Sequence, residues 1–217
     1  MGMRSETERW AVAVRAAFVA GDLGRATMIV DKAIAAVGPL DVLDKVVTPA
    51  MHDVGALWER NMITVADEHL ATSTLHWLLA RIAPQLERLE ARSERRKVLL
   101  AAPAPEGHTT GLLMAELVLR PIGFDVRNLG GDLPVAALTT FAQRERPDVV
   151  LLGCTIPDHA SALLETLQVL EATVPDAILI TGGRGVPQRL LPEGVQHVRD
   201  MRHLIETVTP QIGCALA

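Results

Sequence analysis

Tyrosine is absent from this 217-residue chain, and aromatics make up only 3% of it, as three Trp and three Phe. An aromatic core is excluded, so the interior has to be built from Leu, Val, Ile and Ala. Cysteine is as scarce: Cys154 and Cys214 are the whole complement. Neither belongs to a C-x-x-C pair or a zinc-site spacing. That excludes a disulfide framework and makes reduced thiols in a cytoplasmic setting the expectation. Long apolar runs are missing too. None reaches the roughly 18 residues of a membrane helix. The opening MGMRSETERW has no apolar signal-peptide region. A large excess of one charge is also lacking: the net charge of -5 argues against direct nucleic-acid binding.

What is present is a globular balance, 49% hydrophobic and 22% charged, in a length that permits one large domain or two small ones. From Glu6 to about Leu89 the periodicity is helical. Trp10, Val14, Ala17 and Phe18 lie on one face, and Gly21-Asp22 ends that helix. Ala26, Ile29, Val30, Ala33 and Ile34 repeat the pattern up to Gly38-Pro39. A third helix spans about Leu40 to Arg60, with Pro49 expected to kink or restart it. Thr64 is an N-cap candidate with Asp67 three residues on, nearly a capping box. The fourth helix carries Leu70, Leu75, Leu78, Leu79 and Ile82. This predicts a four-helix bundle over residues 1–90. The charged stretch Glu90–Lys97 lacks an apolar face and reads as a linker.

After Lys97 the rhythm changes. Short apolar runs at 98–102, 124–126, 149–153, 177–180 and 195–198 alternate with helical patterns at 109–120, 134–144, 159–173 and 201–212. Such alternation predicts a flavodoxin-like α/β domain over residues 97–217, with a five-stranded parallel sheet in the order 2-1-3-4-5. The whole chain is therefore α followed by α/β.

Open α/β sheets bind ligands at the carboxyl ends of their strands. The loops there are rich in Gly and small residues. The first contains Glu106-x-His108-x-x-Gly111. A carboxylate two residues from a His can hold the ring in one tautomer and raise the basicity of its other nitrogen, as a transition-metal ligand requires. Taken alone, E-x-H is better explained by a surface His on a loop that caps the next helix. Cys154-Thr155 follows the third strand and Gly182-Gly183 the fourth. His159 reads as a helix cap, and His197 and His203 as surface residues. In the helical half Trp58 is followed by nine residues and then Glu68-His69, an indole beside two polar groups. His76 and Trp77 read as core or interface packing, or as a wall of a second binding site.

The order and spacing of these elements resemble the cobalamin-binding signature D-x-H-x-x-G, S-x-L, G-G. Glu106 stands for Asp, a change common in the light-sensing branch, while Cys154 and Ile156 stand for Ser and Leu. W-x9-E-H looks like the capping motif of the cobalamin-dependent photoreceptors, which include the light-released repressors of carotenoid synthesis. The resemblance implies cobalamin with its benzimidazole tail displaced and His108 as the lower axial ligand to cobalt. Gly111, Gly182 and Gly183 would give the tail its slot, and Cys154 or Thr155 would offer it a polar contact. Trp58 would cover the upper face of adenosylcobalamin, with Glu68 and His69 contacting the adenosyl group or positioning the indole.

Two departures stand out. Those repressors carry an N-terminal helix-turn-helix domain for which this chain has no room, so repression by that route is not expected. They also place a His after the Trp, where this chain has Glu59; His52 and His69 are the substitutes to consider. Photocobilins, related stand-alone domains, bind a bilin as well, so biliverdin held non-covalently is a candidate second chromophore. The expectation is a cytoplasmic cobalamin-binding light sensor rather than an enzyme, acting as a homo-oligomer, most simply a dimer, or on a separate regulator. A corrinoid methyl-carrier subunit of a methyltransferase system is the alternative.

Overall fold

The computed structural model describes residues 5–86 and 96–212. The chain divides into two compact units, Met1–Glu87 and Arg88–Ala217. Of the stretch read as a linker, only Arg96 and Lys97 fall among the described residues.

The first unit is helical. Helix α1 (Glu6–Val19) opens with a capping box: Ser5 Oγ accepts from the Glu8 amide at 3.2 Å, and the Glu8 carboxylate accepts from the Ser5 amide at 2.8 Å. Its buried face is Trp10, Ala11, Val14, Ala17 and Phe18. Asp22 caps α2 (Leu23–Val37), which ends at Gly38. The next helical run begins with α3 (Pro39–Val42). Pro49 has no amide hydrogen to offer the ladder, and the α-helix restarts around it: a π turn at Leu43–Val47 takes up an extra residue, with the Thr48 amide donating to Leu43 five residues back. The run then continues as α4 (Thr48–Glu59). The Thr64–Asp67 capping box is formed, and α5 (Val65–Ile82) follows it. Helix α1 packs on α2, α4 and α5. Leu75, Leu78, Leu79 and Ile82 are buried, as their spacing predicts. Leu70 is not: it is 46% exposed, and its side chain lies against Gly21.

The second unit is a parallel sheet in the order 2-1-3-4-5. Its strands are β1 (Lys97–Ala101), β2 (Asp125–Asn128), β3 (Val149–Gly153), β4 (Ile178–Gly182) and β5 (Gln196–Val198). The intervening helices are α6 (Thr110–Leu119), α7 (Val135–Glu145) and α8 (Ala160–Thr173), with α9 (Met201–Val208) after β5. Leu99 and Ala101 of β1 and Val150 and Leu152 of β3 form one core layer. It packs on Leu138 and Ala142 of α7 and on Leu163, Leu167 and Leu170 of α8. Gly153, on the other face of β3, lies against Leu112 of α6. In this strand order the direction of winding reverses between β1 and β3, and a crevice forms above their carboxyl ends.

Candidate functional site

That crevice is organised by one buried carboxylate. Glu106, in the loop after β1, is 1% exposed. Its Oε1 accepts from the His108 amide at 2.9 Å and lies 2.6 Å from His108 Nδ1. Its Oε2 accepts from the amides of Thr155 and Ile156, at 2.7 and 2.9 Å, in the loop after β3. A single side chain thus ties the two loops flanking the switch point. Burial pushes the carboxyl up, but the bonds from His108, Ile156 and Thr155 outweigh it and hold the group near 2. Glu106 is therefore ionised at neutral pH, and His108 Nδ1 carries the proton that faces it. In that tautomer the ring's lone pair sits on Nε2.

The loop after β2 supports this turn from beneath. Asp132, at φ 53°, donates its amide to the Glu106 carbonyl at 2.7 Å. A Cβ on Gly131 would stand 2.6 Å from that same carbonyl oxygen. Gly131 was not legible as a site residue, although a Gly-Gly pair before a turn hints at close backbone approach. The loop after β4 is pinned in the same way. Gly183 has φ 107°, and a Cβ there would collide with the Cys154 carbonyl. A Cβ on Gly185 would meet Ile156 at 2.7 Å. Gly183 and Gly185 thus let the β3 and β4 loops approach closely. By contrast, a Cβ on Gly111 would meet nothing within 4 Å, and one on Gly182 only Val198 at ordinary contact.

The small polar pair separates into two different residues. Cys154 is 1% exposed, packs into the aliphatic layer, and directs its thiol toward the Ile156 carbonyl at 3.5 Å. Burial, helped by the Glu106 charge, pushes that thiol up to about 11. Thr155 is exposed while its amide is held by Glu106. His159 does not cap α8: its side chain makes no capping bond. It turns instead toward Glu106, with Nδ1 3.3 Å from Oε2. Nor is His197 a plain surface residue; it is partly buried beside Thr181, with Nδ1 3.3 Å from the hydroxyl.

In the helical unit Trp58 is 38% exposed near the end of α4, so it is not a core indole. Asn61, at φ 55°, turns the chain from α4 into α5, and these two helices pack together. Glu68 and His69 fall in the first turns of α5. Glu68 accepts from Thr72 Oγ1 at 2.8 Å and lies 3.6 Å from His69 Nε2. His69 is exposed, as are Glu59, His76 and Trp77.

Among the described residues no group of three or more His, Cys, Asp or Glu is placed to hold a metal ion. His108 would be a single protein ligand to any metal it met. A metal taken by it has to arrive with most of its coordination already filled, which describes a macrocycle better than a bare ion.

Residues 11–82 match one family model described as B12 binding domain, and residues 96–205 match a second with the same description. The chain is 33% identical over 180 residues to the HTH-type transcriptional repressor CarH of Myxococcus xanthus, covering 83% of this chain and 59% of that protein. With the repressor CarA of the same organism it shares 29% identity over 168 residues, 75% of this chain and 54% of that one. The chain thus spans little more than half the length of these relatives. The monomethylamine corrinoid protein of Methanosarcina barkeri has the same fold, with a TM-score of 0.79 at 16% identity over 94% of this chain and 99% of that one. Among the described residues no helix is long and apolar enough to cross a membrane.

Proposed function

Since the chain belongs to the family of B12 binding domain proteins, we propose that it is a light sensor holding adenosylcobalamin with His108 as the lower axial ligand to cobalt. The observation that carries this reading is the Glu106 carboxylate, which gives His108 the tautomer a metal ligand needs. When bound, the cofactor supplies a cobalt–carbon bond that visible light breaks. The chain's part is to bind, orient and shield it.

Each residue then has a distinct task. Glu106 keeps His108 from rotating and adds to its donor strength. Gly111, where a Cβ would meet no atom, leaves width for the displaced tail. Gly183 lets the neighbouring loop lie close to Cys154 without a side chain in the way, and Gly182 beside it adds no bulk to the slot. Thr155, exposed beside that loop, offers the tail its polar contact, because the Cys154 thiol is buried and already directed at a carbonyl. Trp58 covers the upper face, and Glu68 and His69 anchor the adenosyl group or the indole. With Glu59 after the Trp, His52 and His69 are the residues that would be considered for a second contact to the metal. Biliverdin, held non-covalently, is the candidate second chromophore, and a dimer or a separate regulator the candidate output.

The test is spectroscopic. The purified protein is incubated with adenosylcobalamin, with and without biliverdin, and spectra and hydrodynamic size are recorded in the dark and after illumination. The sensor reading expects a dark-stable complex whose spectrum and size change with light. Retention of methylcobalamin with methyl transfer in the dark would instead mark a corrinoid carrier. A protein left colourless in both would end the reading.

A further inference from the structure

Glu106 serves a second imidazole. His159 Nδ1 is buried, lies 3.3 Å from Oε2, and completes no hydrogen bond in the geometry shown. Its side chain is 22% exposed, against 47% for His108. Every other polar hydrogen on this carboxylate is accounted for. Oε1 takes the amide and ring of His108, and Oε2 takes the amides of Thr155 and Ile156. His159 arrives from the short turn Pro157–His159 before α8, so the loop after β3 contributes two amides and an imidazole to one side chain of the loop after β1.

We infer that His159 is a positioning residue for His108: it shares the Glu106 carboxylate and so limits the negative charge that Glu106 lends to the metal-ligating ring. The inference deepens the cobalamin reading above and rests on it for the metal. The physical argument is one of competition. At 3.3 Å the contact completes no hydrogen bond, but a ring proton on Nδ1 would be drawn to Oε2 by charge. Each donor on Oε2 draws charge from Oε1. With less charge on Oε1, the His108 Nδ1–H bond has less imidazolate character, and Nε2 is a weaker donor to a metal. A ring placed 53 residues along from the E-x-H loop, 159 against 106 in the numbering, would in this way set how firmly His108 holds cobalt.

The test compares the full-length wild type with His159→Leu, which removes the donor at similar bulk, and His159→Gln, which keeps an N–H facing Oε2. The first reading needs no corrin. In ¹⁵N-histidine apoprotein, the His108 Nδ1 proton resonance is expected to move downfield in the Leu variant and to return in the Gln variant. The second reading is the ratio of His-bound to His-free cobalt in the cobalamin-loaded protein in the dark. It is expected to rise about twofold in the Leu variant, no more than the weakest hydrogen bond is worth. A wild-type resonance and ratio in the Leu variant, or a Gln variant that behaves like Leu, overturns the proposal. Should the Leu variant not fold, the wild-type spectrum still decides: a His159 Nδ1 without its proton overturns it, and a protonated one upholds it. A wild type that binds no corrinoid would end the functional reading and leave the apoprotein coupling to be judged separately.

Discussion

At the scale of single residues, Glu106 carries the most. Its carboxyl stands near 2 in the folded protein against an ordinary 4.5, a depressed value. Its contribution to stability is therefore present in full above 4.5 and lost as pH falls toward 2, and it amounts to on the order of 3 kcal/mol. Glu106→Gln is expected to be less stable at neutral pH, and to lack that part of the decline between pH 4.5 and 2, when urea unfolding is followed across the range. Cys154 makes a second prediction. A thiol 1% exposed and pushed up to about 11 should resist thiol reagents in the native protein and react at an ordinary rate in denaturant, with Cys214 replaced by Ser so that one signal is read. Rapid labelling of native Cys154 would contradict its place in the core. That burial had a signal in the sequence: Val150 and Leu152 alternate along β3, and Cys154, one residue past its end, keeps their spacing and joins the same core layer.

At the scale of elements, the turns after β3 and β4 distinguish a glycine that closes the fold from one that leaves room. Gly183→Ala meets the Cys154 carbonyl at a positive φ and should cost about 1–3 kcal/mol in thermal unfolding. Gly111→Ala meets nothing and lies in the first turn of α6, so the apoprotein should keep or gain stability, by up to about 1 kcal/mol. On the functional reading the same variant binds cobalamin more weakly, by titration, because the added methyl narrows the slot. Tighter binding would contradict the placing of the tail there. The elements themselves were largely legible in the sequence. Apolar runs bounded by Gly and Pro, as at Val149–Gly153, define parallel strands, and Thr64 with Asp67 marks a helix start. The links between elements were not. Glu106 reaches Thr155 and Ile156 across 49 and 50 residues, a contact that exists only once β1 and β3 lie side by side. For the same reason His159 read as a helix cap, and the close approaches at Gly131 and Gly185 had no signal, since their partners belong to other loops. The π turn before Pro49 was hidden as well, because a proline fixes where the ladder must yield but not how.

At the scale of the whole molecule, the chain joins two segments that match B12 binding domain models, residues 11–82 and 96–205. Adenosylcobalamin-loaded protein should keep one spectrum in the dark, change it irreversibly under visible light, and change hydrodynamic size with it. An unchanged spectrum under illumination would remove the sensing role while leaving cofactor binding intact. Beneath that role lies the claim that His108 itself coordinates cobalt. It is tested most directly by electron paramagnetic resonance of the cobalt(II) form in protein whose histidines carry ¹⁵N, loaded with unlabelled cofactor. The account predicts that the axial nitrogen splitting changes from three lines to two, and that His108→Ala abolishes the two-line pattern. Three lines persisting in the labelled wild type would mean that the cofactor's own base holds the metal, and would contradict the account.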